Sequence, residues 1–168
     1  MKSPFHTSII TALLVVGCSS LNPPKHPSGL PVIYHNAEYD FTFFLPASWR
    51  GYSVLMQQWD GERYVAAVDR SEVTDYGPVI VLRNPRWKAG DPYQDIPIRV
   101  FTRSQWEGAE GPPSIDAGGV EFEIAHNAKY VFAINSRFDW DESFKGREEA
   151  GTIVYRNQVA NGPHLHDD

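Results

Sequence analysis

One short segment constrains the fold more than any other part of the chain. Within residues 39–45, the apolar side chains of Phe41, Phe43 and Leu45 recur at every second position. A period of two is typical of a β-strand that buries one face. Pro46 follows directly and ends the strand, because proline cannot donate to a strand ladder. The chain is therefore expected to build a sheet with a core on at least one side.

Further strand signals follow at short intervals, separated by Pro, Gly and Asn. Asp60-Gly61 has the composition of a two-residue hairpin turn, so we expect a strand on each side of it. Apolar runs without alternation, such as residues 79–82, are typical of strands buried on both faces. Together these signals predict strands over residues 32–34, 39–45, 53–59, 64–68, 79–82, 96–101, 121–125 and 130–135.

Two helical segments complete the predicted architecture. Thr102 or Ser104 can cap a short helical turn that holds Trp106. Residues 148–159 carry apolar side chains at helical spacing. The whole pattern predicts an α+β fold in which an antiparallel sheet is covered by a C-terminal helix.

The N-terminus has the features of a bacterial lipoprotein signal peptide. A positive charge is followed by an apolar run over residues 9–16, which is too short to span a bilayer. The run ends in Val15-Val16-Gly17-Cys18, which resembles a lipobox, and Cys18 is the only cysteine of the chain. The resemblance implies cleavage before Cys18 and lipidation of that residue with acyl chains such as palmitate. The alternative is an ordinary signal peptide that happens to reach a cysteine.

The implied anchor predicts where the protein resides. Ser19 follows the cysteine, which resembles lipoproteins sorted to the periplasmic face of the outer membrane in Gram-negative bacteria. The formal net charge of −6 argues against nucleic acid and against docking on anionic lipid by charge. We therefore expect a cell-envelope protein that contacts the membrane through its lipid only.

The composition divides the chain into four segments. The expected segments are a signal peptide (1–17), a lipidated Cys with a Pro-rich tether (18–31), one globular α+β domain (32–160) and a flexible acidic, His-containing tail (161–168). Prolines favour an extended tether, unless Leu21 and Leu30 anchor this segment on the domain. The domain is long enough to bury a core without disulfides.

The start of the predicted domain resembles that of PsbP-like domains, which include extrinsic photosystem proteins and secreted bacterial relatives. Residues 39–46, Tyr-Asp-Phe-Thr-Phe-Phe-Leu-Pro, and Trp49 carry the resemblance. It implies an α/β sandwich with an antiparallel sheet between helices. Asp40 departs from the pattern, because those domains usually have Gly there. Parts of residues 85–106 are similar to uncharacterised bacterial secreted proteins, a resemblance that implies no activity.

The segment of residues 83–95 is the strongest candidate for a binding surface. Pro and Gly deny it regular structure, yet it holds the aromatic residues Trp87 and Tyr93. Aromatic rings beside polar groups on a loop suit the recognition of a protein, peptide or sugar. The competing interpretation is that both rings fold back to cap the core. The candidate binding residues are Arg83, Trp87, Tyr93, Gln94 and Asp95.

Two further patterns suggest chemistry. Asp91 and Asp95 could act as an acid and a base, although Asp95 could equally accept backbone hydrogen bonds. His164 and His166 could hold a transition metal, or simply belong to a frayed terminus. The acidic stretch 139–143 lacks the Gly and Glu that a calcium loop of the EF-hand type requires.

The sequence thus favours a non-enzymatic binding or accessory module with an envelope protein or a small ligand as its partner. We assign it no catalytic residue, no cofactor and no metal. A small envelope hydrolase that uses Asp91 and Asp95 stays open as an alternative. A metal-handling lipoprotein that uses the histidine tail is the third hypothesis.

Overall fold

The computed structural model describes residues 29–65, 70–108, 111–113, 115, 119–136 and 143–161, and only the backbone of residues 63–65 and 70–74. Within these ranges the chain forms seven strands, two α-helices and one 3₁₀ turn. In chain order they are β1 (Val32–Asn36), β2 (Phe41–Leu45), the 3₁₀ turn (Ala47–Trp49), β3 (Ser53–Val65), β4 (Arg70–Arg83), β5 (Ile96–Thr102), α1 (Arg103–Trp106), β6 (Glu121–His126), β7 (Tyr130–Asn135) and α2 (Arg147–Asn161).

The strands form two antiparallel sheets. The larger sheet has five strands in the order β3-β4-β5-β7-β6. The other sheet is the β1–β2 hairpin, in which Val32 lies opposite Leu45. Helix α2 packs on β6 and β2. The fold is therefore α+β, with an antiparallel sheet and a C-terminal helix packed against it, as the sequence predicts.

The larger hydrophobic core joins the β1–β2 hairpin and α2 to the five-stranded sheet. Phe41 of β2 stacks on Phe132 of β7 with the ring centroids 4.1 Å apart. Phe41, Phe43 and Leu45 are all buried, which confirms the alternation predicted for β2. Helix α2 contributes Ile153 to the same cluster.

A second hydrophobic cluster lies on the opposite face of the sheet. Trp59 and Phe101 form its centre, with ring centroids 4.7 Å apart, and Trp106 of α1 packs against them. The capping box that Thr102 forms with Gln105 fixes α1, so the predicted cap is confirmed. Because both faces of β4 are covered at residues 79–82, this run is buried on both sides, as predicted.

Helix α2 also occupies one edge of the small sheet. The buried side chain of Asn157 accepts a hydrogen bond from the Phe44 backbone N–H at 2.8 Å and donates to the Phe44 carbonyl at 2.9 Å. An amide side chain thus takes the position that a neighbouring strand would hold. This pair of bonds fixes the helix against β2.

The predicted hairpin turn at Asp60-Gly61 is wrong. Strand β3 continues through it to Val65, so residues 64–65 belong to β3 and not to a returning strand, and the rest of the strand predicted over residues 64–68 lies outside the described residues. The register shifts after Gly61, as in a β-bulge, and a Cβ there would lie 2.7 Å from the Cβ of Pro113. Glycine is required here for a close approach rather than for a turn.

The remaining elements lie where the sequence predicts them, with small differences at their ends except for β4, which is much longer than the predicted run of residues 79–82. Strand β4 begins earlier, at Arg70, and β2 begins at Phe41 because residues 37–40 form a turn. Helix α2 extends the predicted helix by one residue at its start and ends at Asn161.

Gly77 and Gly90 provide a matched test of how the Trp59 ring packs on β4. A Cβ on Gly77 would lie 2.6 Å from Trp59 Cζ2, and the ring is held by its hydrogen bond to Val100 O at 3.1 Å. We expect Gly77→Ala to lower the free energy of unfolding by roughly 2–3 kcal/mol, because the added methyl group overpacks the site. Gly90→Ala meets no atom within 4 Å and should change it by less than about 0.5 kcal/mol. Urea unfolding of both variants checks this, and equal stabilities would contradict it.

Candidate functional site

The predicted binding segment connects two central strands of the large sheet. We refer to residues 84–95, between the end of β4 and the start of β5, as the β4–β5 loop. The backbone N–H of Gln94 donates to Lys145 O at 2.8 Å, and the Lys145 N–H donates to Pro92 O at 3.1 Å. The loop is therefore fixed both to the sheet and to the segment that precedes α2.

Asn84 organises the start of the loop from a buried position, with 1% of its surface exposed. Its Oδ1 accepts hydrogen bonds from the backbone N–H of Arg86 at 3.0 Å and from Arg86 Nε at 3.3 Å. Its carbonyl accepts from the Trp87 N–H at 3.0 Å. These bonds set the course of the backbone that carries Arg86 and Trp87.

Sequence reasoning did not identify Asn84 as a site residue. The available signal is the dipeptide Asn84-Pro85, because an Asn side chain can bond to the backbone two residues on and Asn-Pro favours the start of a turn. The bond from Asn84 Oδ1 to the Arg86 N–H has this form.

Asp95 closes the loop at its other end. Its Oδ1 accepts the backbone N–H of Asn84 at 2.9 Å, and its Oδ2 accepts from Arg83 Nε at 3.1 Å. The structural role that the sequence left open for Asp95 is the one the structure shows. Asp91 instead contacts Lys145, with Oδ1 2.6 Å from Nζ. The hydrogen bond to Asp91 and, as the next largest cause, the negative charge of Asp91 raise the pKa of Lys145 above its usual value. The two carboxylates thus bind different cations.

Trp87 and Tyr93 belong to neither hydrophobic cluster of the core. Each ring is half-buried beneath an arginine side chain of the same segment. The Cζ atom of Arg83 lies 4.1 Å from the centroid of Trp87, and that of Arg86 lies 4.5 Å from the centroid of Tyr93. Both distances are typical of cation–π contacts. The interpretation that these rings cap the core therefore has no support in their packing.

Gln94, predicted as a binding residue, lies in the interior of the protein and not on its surface. Its side chain is buried, with 4% of the residue exposed, and Nε2 donates to Asp95 O at 3.1 Å. Its backbone bond to Lys145 ties the loop to the segment before α2. Gln94 thus supports the loop from within, and its side chain does not have the exposed position of a contact residue.

A second set of contacts ties the loop to the first turn of α2. Arg86 forms an ion pair with Glu149, and Ser48 of the 3₁₀ turn donates to Glu149 Oε1 at 2.6 Å. Gly146 has a φ of +77°, and a Cβ there would lie 3.2 Å from Tyr93 Cδ1. A cleft of about 820 Å³ opens beside these groups, lined by Phe144, Gly146, Arg147, Glu148, Glu149 and Gly151.

The remaining candidate residues lie outside the described residues. These are Cys18, the two tail histidines His164 and His166, and residues 139–142 of the acidic stretch. Lipidation of Cys18 and metal binding by the tail therefore stay predictions. Among the residues that the structure describes, no group of three or more His, Cys, Asp and Glu side chains could hold a metal ion. None of the described helices has the length and apolar character needed to cross a membrane.

Comparison with known proteins identified no relative. No protein-family model, no curated protein and no solved structure matches the chain. The function of the protein is therefore inferred from the geometry of the β4–β5 loop and from the sequence.

The contacts of Asn84 and Asp91 predict that substitutions at these two residues change the free energy of unfolding by different amounts. Asn84→Ala removes a buried acceptor and leaves the Arg86 N–H without its partner, so we expect the free energy of unfolding to fall by roughly 1–3 kcal/mol. Asp91→Asn weakens an ion pair whose side chains are about half exposed and should cost less than about 0.5 kcal/mol. Urea unfolding measures both changes. A larger loss for Asp91→Asn than for Asn84→Ala would show that the exposed ion pair, and not the buried amide, holds the loop.

Proposed function

We propose that this protein is a lipid-anchored module of the bacterial cell envelope that binds a partner through the β4–β5 loop and catalyses no reaction. One observation carries the proposal. Trp87 and Tyr93 lie outside both core clusters, on a loop that buried polar groups hold in place. A contact surface that is ordered before binding loses less conformational entropy when the partner arrives. Large aromatic side chains in such a position are the residues that most often anchor an interface.

A hydrolase that uses Asp91 and Asp95 has less support. Both oxygens of Asp95 already accept hydrogen bonds within the loop, from Asn84 and Arg83. Asp91 is paired with Lys145. An acid and a base that serve one reaction must reach the same substrate or water. These two carboxylates instead bind different cations, Asp95 with Arg83 and Asp91 with Lys145.

The location rests on the N-terminal sequence. Val15-Val16-Gly17-Cys18 supports acylation at Cys18, with the Pro-rich segment as the tether to the domain. At the domain end of this segment Leu30 is 81% exposed, which fits a segment that leaves the domain. The partner is then another component of the envelope, at the periplasmic face of the outer membrane if the source is Gram-negative.

We also infer that the domain is a PsbP-like sandwich. The order of elements supports this: an aromatic strand that ends at Pro46, a buried Trp49, an antiparallel sheet and a final helix. Asp40, where those domains usually have Gly, has a φ of +50°. This left-handed conformation favours Gly but is tolerated by Asp. The departure in sequence at this position is therefore compatible with the same backbone.

The anchor is tested by Cys18→Ala, with Ser19→Ala as the matched control. We expect the Cys18→Ala protein to remain unlipidated and uncleaved, because the modified sulfur is absent, while Ser19→Ala is processed like the wild type. Membrane fractionation and the intact mass of each purified protein measure the outcome. Wild-type processing and fractionation of Cys18→Ala would rule out the lipoprotein assignment.

The binding surface is tested by Trp87→Ala and Tyr93→Ala. Trp87→Ala loses one cation–π contact and Tyr93→Ala loses two, with Arg86 and Lys145, so we expect the free energy of unfolding to fall by about 1 kcal/mol or less and by about 2 kcal/mol or less, respectively. Binding of the envelope partner should weaken by about 2 kcal/mol or more, because a contact anchor is lost. Unfolding curves and retention of cross-linked envelope proteins give the two readouts.

The control for these variants is Tyr155→Ala, an aromatic residue of α2 that is 65% exposed. It should retain the partner as the wild type does. If instead both loop variants lose roughly 3–5 kcal/mol of stability, as truncated core aromatics do, while partner retention is unchanged, the loop is part of the core and not a binding surface.

A further inference from the structure

We infer that the group recognised by the β4–β5 loop is a carboxylate of an acidic peptide segment, and that Arg83 is the residue that receives it. The inference rests on the proposed function and specifies the chemistry of the partner. It depends on how Arg83 is held and on which of its donors are already used.

Two contacts fix the guanidinium group of Arg83. Its Nε donates to Asp95 Oδ2 at 3.1 Å, and its Cζ lies over the ring of Trp87, 4.1 Å from the centroid. Nε carries one of the five N–H donors of an arginine, and the two Nη atoms carry the other four. Neither Nη atom donates to another residue in the described part of the chain. The side chain remains 31% exposed, so the guanidinium is held in place on a side chain that solvent reaches.

The free end of such a group matches a carboxylate. Two parallel N–H donors of a guanidinium can bind the two oxygens of one carboxylate at once. A phosphate presents similar oxygens but carries up to two negative charges. Asp95 lies beside the Arg83 guanidinium, so a group that places two negative charges at this one point is repelled more strongly than a carboxylate with one.

The neighbouring residues favour a peptide over a single small carboxylate. Lys88 has an exposed side chain, and Arg86 uses Nε and Nη2 within the protein but leaves Nη1 without a bond to the described residues. Arg83, Arg86 and Lys88 fall within six consecutive positions. A peptide with several Glu or Asp side chains can engage more than one of these cations, whereas a single carboxylate can engage only one.

The experiment uses the full chain and a defined probe. The probe is the acetylated and amidated peptide Glu-Gly-Glu-Gly-Glu, and Kd is measured from the shifts of the backbone amide resonances of the β4–β5 loop. The Gln-Gly-Gln-Gly-Gln peptide, acetylated and amidated glutamate (which has one carboxylate) and inorganic phosphate are measured at the same ionic strength. We expect saturable binding of the acidic peptide, with a Kd at least about fivefold lower than that of each comparison compound.

Arg83→Lys isolates the contribution of the guanidinium, because lysine keeps the charge but lacks the paired donors. We expect it to raise the Kd of the acidic peptide at least about fivefold. Arg50→Lys makes the same exchange at an exposed position after the 3₁₀ turn and should leave the Kd within about twofold. If Arg83→Lys lowers the melting temperature, Trp87→Leu replaces it, since this variant removes the stacking surface and keeps the Arg83–Asp95 pair.

Each other outcome overturns the inference. Equal Kd values for the Glu and Gln peptides would show that Arg83 does not bind a carboxylate. An unchanged Kd in Arg83→Lys, or in Trp87→Leu where it replaces that variant, would show the same. If phosphate or acetylated and amidated glutamate binds as tightly as the peptide, the peptide assignment is wrong and the ligand is a phosphorylated or a small molecule. If the acidic peptide fails to bind while Trp87→Ala still loses the envelope partner, the carboxylate inference fails and the proposed function stands. If the peptide binds but Trp87→Ala and Tyr93→Ala retain the envelope partner as the wild type does, the proposed function fails.

Discussion

The carboxylate of Asp95 determines the form of the β4–β5 loop. One oxygen accepts the backbone N–H of Asn84, and the other accepts Nε of Arg83. These two bonds connect Arg83, the last residue of β4, and Asn84, the first residue of the loop, to Asp95, the last residue of the loop. Buried polar groups that find their partners specify one conformation, because each alternative leaves a donor or acceptor unpaired. The loop therefore obtains its order from hydrogen bonds and not from burial of its aromatic rings.

This separation explains why aromatic residues of the same type serve different purposes in one chain. Trp59 and Trp106 pack with Phe101 in the second core cluster, and their rings contribute to the stability of the sheet. Trp87 and Tyr93 are instead covered by arginine side chains whose positions depend on Asp95, Asn84 and Glu149. The acidic residues near the loop thus hold cations in place on a chain that is acidic as a whole. This surface therefore carries aromatic and cationic side chains in contact with each other.

The sequence predicts those parts of the fold that depend on local patterns. The period of two in β2, the apolar run of residues 79–82 and the cap at Thr102 are each determined by neighbouring residues, and each is confirmed. Asp60-Gly61 misleads because a β-bulge and a turn use the same residue type, and the contact that requires glycine comes from Pro113, far along the chain.

The candidate site is predicted less well, for the same physical reason. The segment and its two aromatic residues are located by composition, but Gln94 cannot be seen as buried until its bond to the distant Lys145 is known. Asn84 becomes important only through Asp95, eleven positions later. Roles that depend on contacts between distant residues are set by the tertiary structure, which a reading of neighbouring residues does not contain.

The central claim is that hydrogen bonds of buried polar groups order the β4–β5 loop in the free protein. Backbone ¹⁵N relaxation of the unbound chain tests this most directly. The account predicts order parameters for residues 84–95 close to those of β4 and β5, about 0.85. Values below about 0.6 across the loop would contradict it, because a loop that mobile could not hold Trp87 and Tyr93 ready for a partner.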